Sequence, residues 1–298
     1  MRPADLIRLV LLAAIWGGSF LFVRMAVGAI GPMWLTELRV GLAAIAMMIY
    51  ARAAGFELNL VRNWRAYLVL GILNSALPWW LYAWSGKHIN ASYMAILNAA
   101  APWFAAICGA IWLEERLTWR KTMGLALGMF GVALLVGLGP IAASTEVLLA
   151  VLACICATAC YALAGVYINK RASQLAPRAL TVGSLIAASM VVMPFLPPPP
   201  PASAFSIQVT IAVLGISLVC SAAAYLLYFR LIADVGPTKT FTVTFLIPVF
   251  GILWGAVFLG EPVGLSTLAG GAVIVIATAL VLEVGKPKAP AQPLSTTN

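Results

Sequence analysis

Charge is what this sequence has least of. Only 9% of its 298 residues are charged, 63% are hydrophobic, and the mean hydropathy is +1.02. A soluble domain carries roughly 25% charged residues. A chain this poor in charge cannot cover its own surface in water, so lipid must be the solvent for most of it. Acidic residues are scarcer than basic ones, 9 against 18, which leaves a formal net charge of +9. That surplus is no footprint for nucleic acid, because the basic residues sit in short breaks between apolar runs and form no clustered arm. Histidine occurs once, at His88, in a polar break beside Lys87. One such residue supports neither a Ser–His pair nor a His-rich metal centre, so an intramembrane enzyme is a poor reading. The five cysteines, Cys108, Cys154, Cys156, Cys160 and Cys220, all lie inside apolar runs and imply no disulfide framework. Cys156 and Cys160 share a helix face, but no histidine or carboxylate is near enough to complete a metal site, so packing is the simpler role. There is no phosphate loop or nucleotide motif, so neither a cofactor nor direct use of ATP is expected.

Long apolar runs are what the sequence has in abundance. A membrane-crossing helix needs about 20 mostly apolar residues. That rule predicts an all-α membrane protein with ten spans, near 6–27, 32–54, 64–85, 91–113, 119–138, 146–168, 178–196, 207–230, 237–259 and 264–283. The first run is longer than the roughly 7–15 residues of a signal peptide's apolar region, and reads as a retained span. Five prolines at 197–201 predict a stiff linker between spans seven and eight. The polar, Pro-rich segment 286–298 reads as a disordered tail. With the N-terminus inside, the cytoplasmic segments collect fifteen Lys and Arg, and the outer loops only Lys87. That asymmetry predicts both termini in the cytoplasm.

The chain also repeats itself. Pro102, Gly109, Leu113 and Glu115 recur 146 positions later as Pro248, Gly255, Leu259 and Glu261. Ser75, Ala76, Leu81 and Tyr82 recur as Ser221, Ala222, Leu227 and Tyr228. The repeats are 1–140 and 141–285, with five spans each. Five is odd, so the second copy must lie upside down relative to the first. That is the plan of secondary transporters, whose substrate site lies near mid-membrane between the repeats.

The candidate site follows from the repeated polar residues. Ser75, Trp79 and Tyr82 share a face on span three, as Ser221, Tyr225 and Tyr228 do on span eight. Aromatic stripes often mean lipid contact or packing, but the hydroxyls need partners in hydrocarbon, which favours a cavity wall. On span four Met94, Asn98 and Pro102 share a face, and on span nine Thr240, Thr244 and Pro248 do. Proline has no N–H, so Pro102 deprives the Asn98 carbonyl of a partner, and Pro248 does the same to Thr244. Pro102 and Pro248 are therefore the candidate hinges, with a static kink as the plain alternative. Trp16 and Ser19 on span one, and Tyr161 on span six, complete the predicted lining. Trp103 and Trp254 either stack on a flat substrate or sit in the interfacial belt, where Trp34, Trp64, Trp84, Trp112 and Trp119 belong. Glu115 and Glu261 fall at span ends on opposite sides, as gates or loop anchors. For Glu115 the bland alternative is an exposed pair with Arg116, worth at most about 1 kcal/mol. Glu37 and Arg39 lie early in span two, and Glu37 is placed to pair with Arg24 across the turn at 28–32. Such charges mark either function or a neutralised structural pair. Gly124, Gly128 and Gly131, with Gly270 and Gly271, form small-residue faces that predict close packing of spans five and ten.

These motifs carry a family resemblance. Pro102 followed by Trp112-Leu113-Glu114-Glu115-Arg116-Leu117-Thr118, then Gly124, Gly128 and Gly131, with the echo Pro248, Glu261 and Gly270 and the opening Trp16-Gly17-Gly18-Ser19-Phe20, resembles the drug/metabolite transporter superfamily in its ten-span EamA branch. Within it the chain looks most like the YddG-type exporters of aromatic amino acids. It departs from proton-coupled four-span relatives, which carry a glutamate in the middle of the first helix. The resemblance implies a bacterial inner-membrane protein, embedded in lipid and working as a monomer. It would export small metabolites, above all aromatic and neutral amino acids, by alternating access. Drug-like cations or nucleotide sugars are the rival substrates. The candidate lining offers no carboxylate for the one and no basic cluster for the other.

Overall fold

The computed structural model of the chain describes residues 2–114, 117–137, 144–236, 240 and 242–281. Nine helical rods, some bent or broken, run through the described residues. They are α1 (Pro3–Ala53), α2 (Leu60–Ser85), α3 (Ala91–Trp112), α4 (Trp119–Gly137), α5 (Thr145–Ala172), α6 (Pro177–Phe195), α7 (Ile207–Val235), α8 (Val243–Leu259) and α9 (Leu265–Val281). Six of them, α1, α2, α3, α5, α6 and α7, are long and apolar enough to cross a membrane.

The two spans expected at the N-terminus form one bent rod. Helix α1 continues through Ile30, turns at Gly31, and resumes at Pro32. Gly31 has φ 77 and ψ 162, which a side chain would oppose, and Pro32 restarts a helix readily because it gives up no needed N–H. The proline run at 197–201 is non-helical, as expected, and is held by Trp34, whose indole Nε1 reaches the carbonyls of Pro197 and Pro198 at 3.1 and 3.2 Å.

Helix contacts come in reciprocal pairs at the repeat offset. The first arm of α1 packs on α8, and α5 packs on α3. Likewise α2 meets α5, and α7 meets α1. Helix α3 crosses α8, and α4 lies along α9. A Cβ added to Gly124 would stand 2.7 Å from the Ala277 carbonyl oxygen, and one on Gly131 would stand 2.8 Å from Ile274. Without hydrophobic drive between helices in lipid, such close approach supplies the dispersion contacts that hold α4 to α9. Gly128 faces elsewhere, and leaves room for the ring of Trp103.

Helix α3 breaks at Ala99 and Ala100, and its second half starts at Ala101 with Pro102. The Trp103 amide turns to Ala100 at 2.9 Å, which frees the Ala99 carbonyl. Thr278 of α9 takes it, donating Oγ1 to Ala99 O at 2.8 Å while accepting from Trp103 Nε1 at 3.2 Å. Thr278→Val keeps the shape and removes both bonds. It is expected to cost about 1–2 kcal/mol, read as a lower melting temperature in detergent. An unchanged melting temperature would show that the break needs no such tie.

Candidate functional site

Helices α1, α2, α3, α5, α6, α7 and α8 enclose a cavity of about 550 Å³. It runs from Val23 and Phe20 in the bundle to the exposed Ser173, on the loop between α5 and α6, and Pro177 at the start of α6. Among the predicted residues, Trp16, Ser19, Trp79, Tyr82, Asn98, Tyr161, Tyr225, Tyr228 and Thr244 all line it. At the deep end Tyr82 donates its hydroxyl to Asn98 Oδ1 at 3.0 Å, and Phe20 meets the Tyr82 ring edge-on at 5.4 Å. One wall is aromatic: Trp16 lies 6.4 Å from Tyr225, edge-on, and 5.5 Å from Tyr228. Rings at these spacings make a rigid apolar surface with polar tips.

Four predicted residues stay out of the cavity. Ser75 and Ser221 lie inside π-helical segments, Ile72–Ala76 and Gly215–Ala223. The wider turn rotates the helix face, so their neighbours Asn74 and Cys220 line the space instead. The Ser221 hydroxyl donates to Ile216 O at 2.8 Å. Met94 is fully buried, because Ala91–Asn98 is enclosed on all sides apart from Asn98. Thr240 is also fully buried and gives its hydroxyl to Gly236 O at 2.9 Å.

The proline pair is unequal. Pro102 follows the break in α3, whereas Pro248 stands inside an unbroken α8. Trp103 and Trp254 are structural ties, Trp254 Nε1 donating to Ala14 O at 2.9 Å. Glu115 and the segment 286–298 lie outside the described residues. Glu261 anchors a helix. Its carboxylate accepts from Ala91 N at 2.8 Å, Ser92 N at 3.1 Å and Ser92 Oγ at 2.9 Å, at the start of α3. A carboxylate there also meets the positive end of the helix dipole.

The expected pairing of Glu37 with Arg24 does not form. Arg24 Nη1 donates to Gly86 O at 2.7 Å, and its Nε lies 3.8 Å from Glu261. Glu37 turns to α6 and accepts from Ser189 Oγ at 2.5 Å. These contacts, with Ser85 Oγ donating to Ala150 O at 2.9 Å, tie the helices together at the end of the bundle opposite the 173–176 loop.

Asn74 and Arg39 are among the lining residues that the sequence did not assign to the site. Asn74 reaches the Tyr225 hydroxyl at 3.5 Å. Arg39 lies in the cavity wall, its Nε donating to Ser221 Oγ at 3.0 Å and its Cζ 3.7 Å over the Trp79 ring. The lining was expected to hold no basic cluster, and the structure puts a single guanidinium in it. The usable signal was the presence of an arginine inside an apolar run.

The EamA-like transporter family matches residues 6–137 and again residues 148–283. The chain belongs to the EamA-like transporter family. An uncharacterized transporter of Bacillus subtilis, YvbV, is 27% identical over 288 residues, covering 94% of this chain and 92% of its own. A probable terminal-alkyne amino-acid exporter of Streptantibioticus cattleyicolor is 24% identical over 274 residues, covering 92% and 91%. One solved crystal structure superposes with a TM-score of 0.63 at 16% identity, covering 94% of this chain and 98% of the other, which speaks to the fold alone. This EamA-like transporter is therefore a multi-pass membrane protein that handles a small-molecule substrate, and the family match falls once on each repeat.

Proposed function

We propose that this transporter crosses the membrane ten times as two inverted repeats, 1–140 and 141–285. Both termini and the 286–298 tail lie in the cytoplasm, and the monomer exports aromatic and neutral amino acids by alternating access. The observation that carries this is the cavity itself: aromatic-walled, about 550 Å³, built from both repeats, reaching one end of the bundle and closed at the other. Reciprocal helix contacts support the inversion. The excess of Lys and Arg in alternate breaks supports the orientation, and with it the bacterial inner membrane as location. Under that orientation the 173–176 loop is cytoplasmic, and the structure stands open inward. The amino-acid exporter among the relatives agrees with this substrate class.

Reconstitution in liposomes tests the reading. Labelled tryptophan is expected to exchange across the membrane, and phenylalanine and threonine to compete with it. Cationic dyes and nucleotide sugars are expected not to compete. No exchange of any of these would remove the transporter assignment for this substrate class. A pH gradient is expected to leave the rate unchanged, because no acidic side chain lines the cavity among the described residues.

A further inference from the structure

Arg39 is the one charged side chain lining the cavity among the described residues. It is 9% exposed and sits seven residues beyond Pro32, roughly 10 Å into the second arm of α1. A buried guanidinium normally has a carboxylate partner, because an unpaired charge in low dielectric is costly. This one has none among the described residues: the ion pairs formed by arginines there involve Arg2, Arg8, Arg24 and Arg230. Glu37, two positions away, is turned to Ser189. Tyr161, Cys220 and Tyr225 face the guanidinium within electrostatic reach, and all three are neutral side chains.

The group is held rather than loose. Its Nε is fixed by Ser221 at 3.0 Å, and one face is covered by Trp79 at 3.7 Å. The terminal Nη1 and Nη2 make no hydrogen bond among the described residues, and neither is sealed in the protein interior. What remains is a planar, pre-oriented pair of donors at the edge of an aromatic space. That fork matches two oxygens of one carboxylate.

Resting on the transporter reading above, we propose that Arg39 binds the substrate's carboxylate, which makes the substrate class carboxylates, the aromatic ones above all. Tryptophan-like amino acids belong to it, and so do aromatic acids that lack the amino group. The second half follows from charge. No carboxylate in the lining awaits an ammonium group, and Asn98 Oδ1 already accepts from Tyr82. Removing the ammonium therefore sacrifices little, and removing the carboxylate sacrifices the main polar contact.

The experiment is competition for labelled tryptophan exchange in liposomes by three probes: tryptophan, indole-3-propionate and tryptophanamide. The wild type is expected to take indole-3-propionate about as well as tryptophan, and tryptophanamide about 10- to 100-fold less well, the range of one charge-assisted bidentate contact. In Arg39→Gln the preference of acid over amide is expected to collapse to about onefold. Arg39→Lys, which keeps charge but not the fork, is expected to retain part of it. If the variants do not fold, the wild-type ranking alone decides. Equal uptake of acid and amide by the wild type, or an unchanged preference in Arg39→Gln, would overturn the Arg39 proposal and leave the transporter reading intact. Absence of any tryptophan exchange would instead remove that reading.

Discussion

Glu261→Ala is expected to unfasten the closed end of the bundle. The carboxylate is almost fully buried and satisfies two backbone amides and one hydroxyl at the start of α3, while lying 3.8 Å from Arg24. Truncation leaves the amides of Ala91 and Ser92 and the Arg24 guanidinium without an anionic partner. Each orphaned donor costs about 1–3 kcal/mol, reduced where water reaches the gap, so a loss of about 2–4 kcal/mol is expected. Glu261→Gln keeps one acceptor and loses the charge, so it should fall between the two. The surroundings are shaped for this group, since a Cβ on Gly255 would stand 2.4 Å from Glu261 Oε2. Thermal unfolding in detergent reads the stability. A Glu261→Ala protein as stable as wild type would show that the carboxylate is not the anchor described.

Gly251→Leu is expected to do comparable damage by a different route. Helices α3 and α8 cross so closely that a Cβ at Gly251 would lie 2.1 Å from the Ala95 methyl carbon. The first arm of α1 crowds the same point, with a Cβ on Gly17 reaching Phe250 Cβ at 2.7 Å. These are short, backbone-fixed groups, so relief must come from moving whole helices. Overpacking costs about 1–3 kcal/mol where side chains can adjust, and three converging helices put this case at the top of that range or above. Gly251→Ala should show a smaller loss in the same direction. Wild-type melting for Gly251→Leu would mean that the helices do not meet there.

The helices were legible in the sequence because in lipid the backbone must satisfy itself, so every apolar run of membrane length has to be a helix. Their ends were less so. Helix α1 joins two expected spans because Gly31 alone can absorb the turn that the break at 28–32 seemed to require. The aromatic wall was legible because Tyr82, Tyr225 and Tyr228 stand on repeated faces. Ser75 and Ser221 stand on the same faces by count, and miss the cavity because the count assumes 3.6 residues per turn where the chain is π-helical. Arg39 was visible as a buried charge, but its use was not. Its long side chain reaches across to Ser221 on α7, 182 residues away, and no local pattern encodes that contact. Arg24 and Glu37 look like partners in sequence, yet Arg24 turns to Gly86 and Glu261 between helices, and Glu37 to Ser189 on α6.

The central claim is that one cavity faces the two sides of the membrane in turn. The most direct measurement is labelling of a single cysteine at Ala101, a lining residue beside Asn98 and Pro102, in a background with the native cysteines replaced. A membrane-impermeant thiol reagent is added from each side in turn. With the proposed orientation, fast labelling is expected from the cytoplasmic side, and slow labelling from the outside that accelerates when Glu261 is also replaced by alanine. Equally fast labelling from both sides in the unmodified transporter would mean an open pore, and would contradict the account.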